Sequence, residues 1–214
     1  MEVTRHLAVN TMKREHYRLI FGVLIVACLA ATFHSADATS VKKMTVADLV
    51  NYGDKIIAGR VTAVTDGFDA NNLPYTDVTV AISESLKGNV NGYYTFRQLG
   101  LAAPRDMGDG RTYLGVSPDG FPRFSPGEDV VVFLFAKTSL GFQSAAGLMQ
   151  GKFTVNGREL ANGINNRGLF EDVTVNPTKL TPAEQKMLAT EEGPLDTELF
   201  KGFVKKAVQQ GWFN

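Results

Sequence analysis

The chain has three imidazoles, His6, His16 and His34, and one thiol, Cys28, and all four lie within its first 34 residues. Histidine is the commonest general base and transition-metal ligand, and a cysteine thiolate is a strong nucleophile. Beyond Cys28 and His34 the side chains able to do chemistry are carboxylates, amines, guanidinium groups and hydroxyls. Acid–base work there would fall to Asp and Glu. A glycosidase needs only such a pair of carboxylates, which keeps a carboxylate-based hydrolase as one alternative, although no spacing singles out a pair.

Two groups of charges are concentrated enough to act together. Asp66, Asp69, Asn71 and Asp77 surround the segment DGFDANN. Calcium favours several oxygen ligands, but the D-x-D-x-D-G order is missing, and Asp and Asn also occupy turns for their own backbone bonding. Residues 100–127 hold Arg105, Asp106, Asp109, Arg111, Asp119 and Arg123, with Tyr113, Phe121 and Phe124 between them. Arginine among aromatic residues is typical of recognition surfaces. Arg105, Asp106, Asp109, Arg111, Tyr113, Phe121 and Arg123 are therefore the expected binding residues; solvated local ion pairs are the alternative. Ser83 and Lys87 give S-x-x-x-K rather than the S-x-x-K of serine–lysine catalysis. Gly108-Asp109-Gly110 lacks the helix that a phosphate loop opens. No metal or other cofactor is called for.

What positions these groups begins with export. Residues 19–33, LIFGVLIVACLAATF, are an apolar run preceded by Lys13, Arg14 and Arg18 and followed by Ala36-Asp37-Ala38. A basic n-region, an apolar h-region and an A-x-A site form a signal-peptide pattern. Cleavage after Ala38 would start the mature chain at Thr39 and remove every His and Cys. Met1 and Met12 are alternative translation starts. Two alternatives are a lipoprotein, since Ile25-Val26-Ala27-Cys28 resembles a lipobox that would acylate Cys28, and an uncleaved anchor. The expected location is periplasmic or extracellular.

Twenty-two basic residues balance twenty-two acidic ones, so the chain lacks the positive field that nucleic acid demands. After Ala38 no apolar run approaches the length of a membrane span. The mature chain fits one domain large enough to build a core without disulfides.

Residues 39–176 read as antiparallel β structure. Residues 45–52 suit a short helix or a lead-in segment. Residues 55–65 are β-branched, and in 75–86 Val78, Val80 and Ile82 alternate with Asp77, Thr79 and Ser83. Asn91-Gly92 marks a reversal before a return strand at 93–99. Residues 100–127 hold four of the eight prolines and show no periodicity; long loops of this kind are often functional. Further strands are expected at 129–136, 142–149 and 151–155, and a last hairpin at 159–164 with Leu169 and Phe170.

Residues 177–214 change character. Thr181-Pro182-Ala183-Glu184 is a capping box with proline at the first helical position. Leu195, Leu199, Phe203 and Ala207 then recur every four residues, the stripe of an amphipathic helix. Residues 130–135 are apolar without alternation, so both faces of that strand must be covered; the C-terminal helix is expected to cover one of them. The expected architecture is a mainly β, antiparallel, OB-like partly closed barrel with two C-terminal α-helices.

Several motifs in order carry a resemblance. YTDVTV at 75–80 leads to ESLKG at 84–88, then PRFSPGEDVVVFLF at 122–135 and QGKFTV at 150–155. This succession of L-K-G, R-F-x-x-G-E and Q-G-K-F resembles a group of uncharacterised exported bacterial β-domain proteins. More distantly it looks like the OB-type barrels of netrin-like and metalloprotease-inhibitor domains. That inhibitor family chelates zinc through a mature N-terminal Cys, whereas this chain would begin Thr39-Ser40-Val41. The expected function is an exported, non-enzymatic binding or interaction domain for a protein or envelope component, with inhibition of a secreted protease as the other alternative.

Overall fold

The computed structural model describes residues 42–213. The expected leader, with His6, His16, Cys28, His34, Ala36, Ala38 and Thr39, lies outside the described residues.

A helix, α1 (Val46–Tyr52), opens the fold. Thr45 and Asp48 form a reciprocal cap: the Asp48 N–H donates to the Thr45 hydroxyl at 3.2 Å, and the Thr45 N–H donates to the Asp48 carboxylate at 2.9 Å. Of the two readings left open for this segment, the helix is the one formed. Seven strands then build one antiparallel sheet: β1 (Lys55–Phe68), β2 (Pro74–Lys87), β3 (Tyr93–Leu99), β6 (Asp129–Leu134), β7 (Lys152–Asn156), β8 (Glu159–Asn162) and β9 (Leu195–Asp196). Their order is β3-β2-β1-β6-β7-β8-β9. Between β3 and β6 a two-stranded ribbon pairs β4 (Arg105–Asp106) with β5 (Thr112–Tyr113). The chain ends in α2 (Pro182–Leu188) and α3 (Thr197–Gln210).

The protein is mainly β and antiparallel, with two C-terminal helices, as the sequence implies. The sheet is not closed, however. The strand expected at 142–149 is not formed either: Gly147 and Leu148 adopt φ of 65° and 59° and break the extended run. What remains is a strap. Ala145 makes one bridge with Leu134, and the Gln143 N–H donates to the Arg97 carbonyl on β3 at 2.7 Å. The Gln143 side chain accepts from the Tyr94 hydroxyl and donates to the Phe135 carbonyl, each at 2.7 Å.

Other boundaries also shift. The loop expected over DGFDANNLP shortens to residues 69–73, because β1 and β2 zip together to the pair Phe68↔Pro74. Leu169 and Phe170 form no hairpin strand; β8 pairs instead with β9, through Leu160↔Leu195. Leu195 therefore belongs to the sheet, and the helix starts two residues later. Among the described residues no helix is long and apolar enough to cross a membrane.

Both faces of β6 are buried. Val131 and Phe133 join Ile56, Ala58, Phe153 and Leu160 beneath Phe200, Phe203 and Val204 of α3. Val130, Val132 and Leu134 join Ile57, Val61, Val78, Val80 and Phe96 on the other face, under Phe124 and Ala145. The helix thus packs on the apolar strand as its stripe requires. The Phe200 ring stands 5.0 Å from Phe153 and 6.3 Å from Phe133, and Phe203 stands 5.5 Å from Trp212. Phe203→Ala should cost about 3–5 kcal/mol in urea unfolding; an unchanged midpoint would refute the packing.

A second anchor is acidic. Glu184, 2% exposed, caps α2 by accepting from the Thr181 N–H at 2.8 Å and from Lys206 of α3 at 2.7 Å. Burial alone would raise its carboxyl pKa, but the Lys206 ammonium and the Thr181 donors outweigh it and hold the carboxyl below its ordinary value near 4.5. The stability this adds is present above that ordinary value and lost as pH falls through the depressed one. Glu184→Gln should therefore be less stable than wild type at neutral pH, with the gap closing in strong acid. A gap independent of pH in parallel urea titrations would show that the ionised form contributes nothing.

Candidate functional site

The segment 100–127 is tied down at its ends. The Leu101 N–H donates to the Gly115 carbonyl at 3.0 Å, and the Ser117 N–H donates back to Leu101 at 2.9 Å. The Thr76 hydroxyl holds the Gly100 carbonyl at 2.8 Å. Between these ties runs the β4–β5 ribbon, its tip closed by the Met107 N–H on the Arg111 carbonyl at 3.0 Å.

The seven expected binding residues divide into three groups by their contacts. Arg105 and Tyr113 form the base of the ribbon. Arg105 pairs with Asp66 and lies 5.8 Å over the Phe68 ring, and Tyr113 meets that ring edge-on at 4.9 Å. Asp106, Asp109 and Arg111 form the tip. Asp106 accepts from the Gly108 N–H at 2.8 Å, and Asp109 pairs with Arg111, whose guanidinium holds the Asp109 carboxyl below its ordinary range. Phe121 and Arg123 lie on the returning segment, where Arg123 donates to the Ala102 carbonyl at 3.3 Å. Met107 and Leu114, which the sequence reading passed over, are 49% and 72% exposed. No charge pattern marks them; only the ribbon geometry puts them outside.

The other acidic group is divided among separate tasks. Asp66 holds Arg105 and the Ala102 N–H. Asp69 accepts from the N–H groups of Asn71 and Leu73 at 2.8 and 2.9 Å, closing the β1–β2 turn. Asp77 grips Arg97 with two bonds of 2.7 and 2.6 Å, and Arg97 stacks 3.7 Å above Tyr75. Among the described residues no three His, Cys, Asp or Glu side chains group as metal ligands. Of the S-x-x-x-K pair, Lys87 donates to the Val50 carbonyl at 2.7 Å and so ties the end of β2 to α1.

Two motifs that are far apart in sequence meet beneath the segment. Pairing of β6 with β7 sets Lys152 beside Val132 and Thr154 beside Val130. Lys152 pairs with Glu128, donates to the Arg123 carbonyl at 2.9 Å, and lies 5.1 Å over the Phe124 ring. Thr154 and the Ser125 N–H also donate to Glu128, at 2.9 and 3.2 Å. The Lys152 and Glu128 side chains are only 12% and 17% exposed. Next to this cluster is a cleft of about 220 Å³ between the sheet and residues 117–125. A larger hollow of about 500 Å³ lies between the start of α3 and β1, but its Arg60 and Asp129 are already joined by bonds of 2.9 and 2.6 Å.

The chain matches no family model, no curated protein and no solved structure.

The motifs nevertheless have physical roles. Gly151 of Q-G-K-F admits the Ala146 carbonyl where a Cβ would lie 1.9 Å from its oxygen. Gln150 accepts from the Met44 N–H at 2.8 Å and donates to the Lys42 carbonyl at 2.9 Å, holding the entering chain. Lys152 and Glu128 close the roof over the inner face. Removing one partner of a buried pair leaves an uncompensated charge. Lys152→Met should cost about 3–5 kcal/mol, and Glu128→Gln/Lys152→Met should recover at least half of it. A single-variant cost below about 1 kcal/mol in urea unfolding would place the pair among exposed, screened bridges.

Proposed function

We propose that this chain is an exported, non-enzymatic binding domain that presents the β4–β5 ribbon to a protein or envelope component. The observation carrying this reading is the contrast between the ribbon's base and its flank. The base is locked by Arg105–Asp66 and by Tyr113 on Phe68. Met107 and Leu114 stand exposed beside it, 49% and 72% open. A rigid scaffold carrying an exposed loop is a common arrangement for recognition, and exposed apolar groups rimmed by polar ones suit an interface core. Export is supported by the basic, apolar and A-x-A succession at 13–38. The non-enzymatic reading is supported by the carboxylates around the ribbon, which are committed to ion pairs and turns.

The test is site-specific photocrosslinking in the full-length protein expressed in its own cell envelope. A benzophenone residue at position 114 should yield one discrete adduct. Replacing residues 106–112 by Gly-Gly should abolish it while the thermal unfolding transition persists. An adduct pattern identical to that from a benzophenone at Thr95, on the sheet, would defeat the proposal.

A further inference from the structure

We propose that the cleft beneath residues 117–125 binds a small carboxylic acid whose flat apolar body ends in an O–H or N–H donor. This does not rest on the ribbon's recognising a partner. Three features of the cleft define the ligand. Its inner end is polar. Gln98 is 3% exposed, and its Nε2 donates to the Pro122 carbonyl at 3.2 Å. The reversed amide would set carbonyl against carbonyl, so the orientation is fixed. The Gln98 Oε1 is then fully buried with no hydrogen-bond partner among the described residues. A buried acceptor of this kind costs free energy until a donor reaches it.

The walls are largely apolar, with Val64, Val78, Leu101 and Phe124 among the lining residues. A cavity of about 150 Å³ holds benzene, so about 220 Å³ accommodates one substituted ring. The mouth carries a cation. Of the seven arginines among the described residues, six pair with a carboxylate: Arg60, Arg97, Arg105, Arg111, Arg158 and Arg167. Arg123 lines the cleft and makes no ion pair among those residues; its contact is with the Ala102 carbonyl. Guanidinium is well matched to carboxylate. Acceptor inside, apolar walls and cation outside together specify a donor–ring–carboxylate molecule.

The probe is 4-hydroxyphenylacetate, titrated into the full-length protein and followed by ¹H–¹⁵N NMR. Saturable shifts are expected at the Gln98 side-chain amide and at the Leu101, Ser117 and Phe124 backbone amides. In the unaltered protein, 4-methylphenylacetate, lacking the donor, and 4-hydroxyphenylacetamide, lacking the charge, should each bind about tenfold more weakly. Arg123→Met should weaken the acid about tenfold and leave the amide unchanged. The ligand series needs no variant to fold. Equal affinity for the three ligands, shifts confined to residues outside the cleft, or no saturation below about 10 mM would each overturn the assignment.

Discussion

Strand β6 has no solvent side, and the rest of the architecture follows from that. Five of its six residues are buried, alternately against the helices and against the long segments that follow β3 and β6. An antiparallel strand with one wet face would have needed one layer; this one needs two. Helix α3 supplies the first through Phe200 and Val204, and Phe124 with Ala145 supplies the second. The second layer is made of loops, so it must be fastened by specific bonds rather than by its own ladder. The Gln143 strap and the Glu128–Lys152 pair do this fastening.

The segment between β3 and β6 is longer than its span requires. The sheet order and register separate Leu99 from Asp129 by three strand spacings and by seven residues along the strands. That is no more than about 30 Å, which roughly nine extended residues reach. Part of the surplus is spent on the roof, where Leu101, Pro122 and Phe124 are buried. The remainder rises as the β4–β5 ribbon, which contributes little to the core. Extra chain that neither spans nor packs is where a rigid domain can carry recognition.

Strands β1, β2, β3 and β6 were legible because alternation or β-branched runs mark them, and α2 because Thr181 heads a capping sequence; for α1 the sequence leaves helix and lead-in both open, and the Thr45–Asp48 cap decides between them. Strands β4, β5 and β9 have two residues each, too few to show a period of two. Leu195 fell on the helical stripe by spacing alone, yet it pairs with Leu160 in the sheet. The apolar residues at 142–149 looked like a strand, but positive φ at Gly147 and Leu148 is a tertiary choice that propensity does not announce. Among the expected binding residues, charge drew attention to Arg105, Asp109 and Arg111, and these charges are satisfied within the chain. Lys152 and Glu128 are 24 residues apart, and no local pattern pairs them. The cleft left one readable trace. Along the inward face Val80, Val78 and Thr76 run beside Tyr94, Phe96 and Gln98, so both strands turn from apolar to polar at the same end, where Thr76 opposes Gln98.

That polar end divides the electrostatics of the segment between its two parts. At the tip, Arg111 is answered by Asp109 on the same turn, and at the base Arg105 is answered by Asp66. A pair closed within the chain attracts a third charge weakly and is further screened by salt. On the binding reading proposed above, discrimination at the ribbon would fall to shape and to the exposed Met107 and Leu114 rather than to these paired charges. Arg123 differs because its nearest polar partner is a carbonyl oxygen, which leaves its formal charge unneutralised. Its backbone is also held from below, since Lys152 donates to the Arg123 carbonyl. The largely buried Glu128–Lys152 pair thus holds the backbone of the segment's one uncompensated arginine among the described residues, and the charge on the roof is positioned from the sheet beneath it.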